Sequence, residues 1–95
     1  MARLIYSKNA LSDLERLVDF LFETDPDTAL ETFEIIEEAV NVLRNHPMIG
    51  RPVEHGLREL VISRGRTGYV ALHSYVPDVD AILILALRHQ RETGY

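Results

Sequence analysis

The sequence predicts an α+β domain in which a helical hairpin packs on one face of a small, curved and mainly antiparallel sheet. Apolar residues recur at helical spacing through the first half of the chain. Segments rich in β-branched and aromatic residues follow one another in the second half, separated by short turn-forming stretches. The 95 residues leave no room for a second core, so we expect one domain spanning 1–95 with the element order β-α-α-β-β-β.

The first half begins with a short strand candidate at residues 3–6. Ser7 follows it and suits a helix N-cap, because its hydroxyl can accept a hydrogen bond from an unpaired amide of the first turn. Apolar residues then fall along one face of an amphipathic helix: Ala10, Leu11, Leu14, Leu17, Val18, Leu21 and Phe22. The segment 24–27 ends this helix.

A second helix starts at the same segment, with Asp25 as its cap and Pro26 at its first position. Its apolar stripe consists of Ala29, Phe33, Ile36, Val40 and Leu43. We expect it to stop near residues 45–46, because Pro47 disfavours helical geometry just before it. The short link predicts an antiparallel pair of helices.

The second half predicts a loop at 48–56 and three strands at 57–63, 69–76 and 81–87, joined by turns at 64–68 and 77–80. The last strand is apolar on both faces, which indicates a central strand covered on both sides. The sheet face away from the helices is the expected place for function, and a partner chain could cover it.

Charge and composition exclude several classes of function. The net charge is −5; residues 1–47 contribute −6 and residues 48–95 contribute +1, with all six cations of the second half being arginine. This balance argues against non-specific nucleic-acid binding. With no cysteine, four widely spaced histidines and no phosphate-binding loop, we expect no metal and no cofactor. The apolar runs are too short for a signal peptide or a membrane span, so we expect a cytoplasmic protein.

The strongest candidate site is His89-x-Arg91-x-x-x-Tyr95, just past the last strand. An imidazole can act as general acid or base, a guanidinium can hold a phosphate, and a phenol can stack on a base or transfer a proton. Cleavage of RNA at a 2′-hydroxyl needs such groups. The alternative is a solvated strand end with no chemistry.

Three arginines form a second candidate. Arg58 opens the second-half strands, and Arg64 and Arg66 flank a glycine in the next turn, where they could reach a phosphate or an acidic partner. The alternative is ordinary surface charge in a soluble turn.

The middle strand carries a third candidate. Tyr69, His73 and Tyr75 alternate along it and therefore share one face. If that face is open, it offers a stacking surface or a landing site for a partner helix. If the helices cover it, His73 is a core histidine.

The chain resembles the RelE/ParE toxin superfamily of type II toxin–antitoxin modules over nearly its whole length. The resemblance rests on the element order and on local phrases: Ala10-x-x-Asp13-Leu14, Leu43-x-x-x-Pro47-x-x-Gly50-Arg51-Pro52, Leu57-Arg58-x-Leu60, Gly68-Tyr69, Tyr75 and Ile82-Leu83-x-Leu85-x-x-x-His89-x-Arg91. The phrase ending in Gly-Arg-Pro is typical of the ParE-like branch.

The resemblance implies a cytoplasmic, plasmid-stabilising toxin neutralised by a cognate ParD- or RelB-like antitoxin, as a homodimer or a toxin–antitoxin hetero-oligomer, with operator DNA contacted only through the antitoxin. ParE-like members inhibit DNA gyrase without chemistry of their own, whereas RelE-like members are endoribonucleases that cleave messenger RNA on the ribosome. A RelE-like toxin would carry cations where this chain has Glu59, Val61 and Val70. Those departures favour the ParE-like branch.

Three hypotheses remain. The first is a gyrase inhibitor whose binding residues, for target or antitoxin, include Arg58, Arg64, Arg66, Tyr69, His73, Tyr75 and Arg91. The second is a RelE-like nuclease with His89, Arg91 and Tyr95 as its catalytic set. The third is a non-toxic co-repressor that only binds the antitoxin.

Overall fold

The computed structural model describes residues 1–64 and 67–92, with the backbone alone at 63, 64 and 67. Two helices pack on a five-stranded sheet, which confirms the α+β prediction. The elements are β1 Arg3–Tyr6, α1 Lys8–Thr24, α2 Pro26–Val42, β2 Arg51–Pro52, β3 Arg58–Arg64, β4 Thr67–Val76 and β5 Ala81–His89. Single 3₁₀ turns occupy Glu54–Gly56 and Pro77–Val79. No helix in the described part of the chain is long and apolar enough to cross a membrane.

The predicted helix starts are confirmed in their details. The Ala10 amide donates to the Ser7 hydroxyl at 3.0 Å. Asp25 accepts from the amides of Asp27 and Thr28, and Pro26 occupies the first turn of α2. Helix α2 ends at Val42, a few residues earlier than predicted, because the amide of Leu43 already turns back to the carbonyl of Val40 in a tighter, 3₁₀-type bond.

The strands lie in the order β1-β5-β4-β3-β2. Three neighbouring pairs are antiparallel, while β1 runs parallel to β5. The short strand β2 corrects the prediction of an uninterrupted loop at 48–56. It forms because Arg51 and Pro52 lie in register with Glu59 and Arg58 at the outer edge of β3. Strand β3 starts and ends one residue later than predicted, β4 starts two residues earlier, and β5 ends two residues later.

The hydrophobic core lies between the helices and one face of the sheet. Leu14 and Leu17 of α1 and Ile36 and Val40 of α2 pack there. The sheet contributes Ile62, Tyr69, Ala71, Ile82, Ile84 and Leu87 to the same cluster. We call this the helical face of the sheet and the other side the open face.

Candidate functional site

An apolar groove lies between α1 and the neighbouring ends of β4 and β5, on the helical face. Its volume is about 730 Å³. Leu17, Phe20, Leu21 and Tyr69 supply the apolar lining, and Phe20 stands 70% exposed beside it. The sequence did not reveal this groove, because Phe20 lies outside the apolar stripe that predicted α1.

Two residues of the predicted nuclease set, His89 and Arg91, line this groove together. The His89 ring packs edge-on against Tyr69, with ring centroids 5.3 Å apart and planes at 86°. The backbone amide of Arg91 donates to Nδ1 of His89 at 3.1 Å. That bond occupies Nδ1 as an acceptor, so a contact of the ring with a ligand would have to use Nε2.

Glu92 fastens the segment after β5 to helix α1. One carboxylate oxygen accepts from the His89 backbone amide at 2.9 Å and from Arg16 at 3.2 Å. The pKa of Glu92 is lowered, chiefly by the hydrogen bond from the His89 backbone and also by Arg16, although partial desolvation opposes the shift. Arg16 lies 3.9 Å from Asp13 as well. The polar rim of the groove is therefore already ion-paired at Arg16.

The open face carries a different set of residues, in which Glu59 is central. Its side chain is 7% exposed, is bonded to Arg51, and lies 3.9 Å from Arg88. Val61 pairs with Val70 across β3 and β4, and Val70 pairs with Arg88 across β4 and β5. The three positions at which the chain departs from the RelE-like pattern therefore lie close together on one surface.

Arg88 was missed as a site candidate from the sequence. Its guanidinium Nη1 donates to the carbonyls of His89 at 3.3 Å, Gln90 at 3.3 Å and Glu92 at 2.9 Å, so it fixes the chain that follows β5. Alternation along the last strand predicts that Arg88 and His89 lie on opposite faces, but the pairing register decides which of them lies under the helices.

His73 lies in the core, which is the alternative that the sequence left open for it. The ring is fully buried, and among the described residues neither nitrogen has a hydrogen-bond partner of normal geometry. Burial lowers the pKa of His73 and the charge of Arg58 lowers it further, while the nearby backbone of Ile49 opposes the shift. Strand β4 turns this side chain toward the helical face, where the loop before β2 covers it: a Cβ placed on Gly50 would lie 3.0 Å from Nε2.

The other predicted binding residues are spread over the molecule. Tyr69 is 4% exposed and forms part of the groove wall, so little of its ring is available to a partner. Tyr75 lies toward the far end of β4 and donates to Asp80 at 2.8 Å, a bond that raises its pKa. Arg58 donates to the carbonyl of Gly50 at 3.0 Å.

Three of the predicted site residues fall in parts of the chain that the structure does not describe. Arg66 and Tyr95 lie outside the described residues, and so does the side chain of Arg64. Among the residues described, no group of three or more histidine, aspartate or glutamate side chains is arranged to hold a metal ion.

Comparison with known proteins agrees with this architecture. Residues 4–94 match the model of the ParE toxin of the type II toxin–antitoxin system parDE. The chain belongs to the ParE toxin family. It is 32% identical to the toxin RelE3 of Caulobacter vibrioides over 83 residues, covering 87% of this chain and 88% of that protein. It is 35% identical to the toxin RelE1 of the same organism over 66 residues, covering 70% and 71%.

A solved structure supports the same family. A chain of the chromosomal ParDE toxin–antitoxin system of P. aeruginosa superposes with a TM-score of 0.77 at 27% identity, covering 92% of this chain and 94% of that one. The family and this match identify a toxin of a type II toxin–antitoxin system, with an antitoxin as its partner. The predicted superfamily is thereby confirmed.

Proposed function

We propose that this ParE-family toxin inhibits DNA gyrase in the cytoplasm and has no hydrolytic chemistry of its own. The observation that carries the proposal is the composition of the open face. At the three positions where a RelE-like nuclease would carry cations, this chain has Glu59, Val61 and Val70 side by side.

The charges on that face do not suit a phosphate in a transition state. Glu59 adds a buried negative charge, and Arg51 and Arg88 are both engaged with it. Cations that stabilise developing charge contribute about 10²–10³-fold each to the rate of such reactions. Replacing several of them with a carboxylate and two valines would remove most of a nuclease's rate.

The remaining nuclease candidates point to the same conclusion. His89 and Arg91 line the groove on the helical face, away from Glu59, Val61 and Val70. The groove is mainly apolar around them, and one nitrogen of His89 is already an acceptor for the Arg91 amide. An apolar groove with an aromatic side chain at its edge fits a protein partner better than it fits RNA.

A RelE-like nuclease is the second candidate. The shared position of His89 and Arg91 in one groove and the names of the two Caulobacter relatives favour it. In that case His89 would transfer a proton through Nε2 and Arg91 would hold the phosphate.

The antitoxin contact is proposed for the groove, with Phe20 and Arg91 as its principal residues. Phe20 is the most exposed of the large apolar side chains lining it, and aromatic and arginine residues dominate the binding energy of many interfaces. Tyr69 then contributes the small part of its ring that lines the groove, and His73 contributes only to the core.

The deciding experiment compares two reactions with the same purified chain. Supercoiling by gyrase is measured with increasing toxin, and messenger RNA cleavage is measured on programmed ribosomes. We expect inhibition or DNA breakage with gyrase, and intact messenger RNA. Codon-phased cleavage with unaffected gyrase would refute the proposal.

Two variants sharpen the comparison. His89→Ala should leave gyrase inhibition largely intact, whereas it should abolish cleavage by a nuclease that uses this imidazole. His55→Ala is the matched control, because the His55 side chain is 86% exposed on the Glu54–Gly56 turn. A chain that neither inhibits gyrase nor cleaves messenger RNA, but still binds the antitoxin, would favour the co-repressor hypothesis.

A further inference from the structure

Strand β5 contains one extra residue, which reverses the alternation of its side chains. Leu72 of β4 pairs with Ala86, and the next residue, His73, pairs with Ile84, so Leu85 has no partner on β4. This is a β-bulge. Before it Ile84 faces the helices, and after it Leu87 does.

The bulge decides which face receives the last side chains of the strand. His89 pairs with Tyr69 and shares its helical face, and Arg88 pairs with Val70 and shares the open face. Strict alternation from Ile84 without the extra residue would place Arg88 under the helices and His89 on the open face.

Helix α1 supplies polar side chains to the backbone around the bulge. The carbonyl of Leu85 accepts from the Ser7 hydroxyl at 3.0 Å and from the Asn9 side-chain amide at 3.2 Å. The backbone amide of Leu87 donates to the Asp13 carboxylate at 3.0 Å. Asn9 also donates to Asp13 at 3.3 Å, which joins these contacts into one network.

We infer that Asp13, supported by Asn9, is a positioning residue that holds the bulge of β5 and thereby sets which face His89 and Arg88 occupy. A bulge leaves backbone polar groups without ladder partners, and a partly buried amide without a partner is costly. Asp13 meets that need at Leu87 and selects the bulged register. Ser7 shares the task but also caps α1, so its substitution cannot separate the two roles.

The functional consequence follows from the position of the groove residues. Arg91 is held to the ring of His89, and Arg88 is held to Glu59. Both contacts depend on which face of the sheet the last side chains of β5 occupy. The inference rests on the proposed function only where growth inhibition is the readout, because the placement of His89 can be observed directly.

The test compares Asp13→Leu, Asp13→Asn and the control Asp19→Leu, which changes an exposed aspartate on the same helix. The readout is the NMR contact between the His89 and Tyr69 rings. We expect Asp13→Leu to lose this contact while Asp13→Asn keeps it, since an asparagine oxygen still accepts from Leu87. Asp19→Leu should match the parent protein. A folded Asp13→Leu protein with the ring contact intact would overturn the inference.

A milder variant covers the case in which Asp13→Leu does not fold. Asn9→Ala removes one exposed side chain that contacts Leu85 and Asp13. We expect the Leu87 amide to exchange about tenfold faster in this variant, with the Leu83 amide unchanged, because the opening is local to the bulge. Unchanged exchange at Leu87 would count against the inference.

Growth arrest distinguishes this inference from the proposed function. If the toxin cleaves transcripts instead of inhibiting gyrase, the proposed target is refuted. The NMR measurement would still test the positioning role of Asp13. We expect Asp13→Asn to retain growth arrest and a folded Asp13→Leu to lose it. Full growth arrest in a variant that has lost the ring contact would show that the placement of His89 and Arg88 does not serve toxicity.

Discussion

Substitution of Gly50 tests how the loop before β2 closes over the sheet. Gly50 has φ +102°, and an added Cβ would lie 2.7 Å from the carbonyl oxygen of Glu59 and 3.0 Å from Nε2 of His73. The first contact is with backbone, so the loop itself must shift. Such a shift also disturbs the bond from Arg58 to the Gly50 carbonyl.

Gly56 provides a matched control in the same loop. It has φ +73°, but an added Cβ would meet nothing within 4 Å in the described part of the chain. Both alanine variants carry the cost of a left-handed backbone, about 1–2 kcal/mol. Both also share the gain from a less flexible unfolded chain. Only Gly50→Ala adds overpacking, which costs about 1–3 kcal/mol.

We therefore expect Gly50→Ala to lower the free energy of unfolding by about 1–3 kcal/mol more than Gly56→Ala does. The assay is urea unfolding followed by circular dichroism, with thermal melting as a second measure. In a domain of this size each kcal/mol corresponds to about 4–8 °C in Tm. Equal destabilisation of the two variants, within about 0.5 kcal/mol, would refute the close approach of Gly50 to Glu59 and His73.

Three further predictions concern the core and the open face. Because burial lowers the pKa of His73, the folded state disfavours protonation of this ring, and the free energy of unfolding should stay constant above the ordinary pKa of 6.5 and fall as the pH drops below it. Unfolding measured between pH 7 and 5 should show a weaker dependence of this free energy on pH in His73→Leu, but not in the control His55→Gln. Glu59→Leu removes the carboxylate that Arg51 and Arg88 share and should lower the free energy of unfolding in urea by about 1–3 kcal/mol. An unchanged free energy of unfolding would mean that this cluster does not stabilise the fold. Ile36→Ala empties a fully buried site and should cost about 2–5 kcal/mol, while Leu30→Ala, at 57% exposure on the same helix, should stay near the parent in a thermal melt.

The helices and their ends were the most predictable features. Ser7, Asp25 and Pro26 act on backbone groups only two or three residues away, so the sequence contains all the partners that these caps need. The three long strands were found because their composition and turns are also local. Strand β2 was missed because two residues carry no periodic pattern, and its pairing depends on β3.

The candidate site was predictable only in part. The alternation of side chains correctly placed Tyr69, His73 and Tyr75 on one face of β4. It did not show which face of the strand lies under the helices. Both faces of this strand carry apolar residues, since Val70 on the open face is also buried. Local hydrophobicity therefore gave no preference, and His73 could be placed in the core only once the helices were packed.

The sequence by itself determined the order of the elements, the caps of both helices and the resemblance to the toxin superfamily, because each depends on residues close together in the chain. The tertiary structure alone decided the parallel pairing of β1 with β5, the groove beside α1 and the faces occupied by His89 and Arg88. Those features depend on contacts such as the one between Ser7 and Leu85, which lie 78 residues apart. One extra residue in β5 moves every side chain that follows it to the opposite face of the sheet, and no local sequence pattern predicts which register the folded chain adopts.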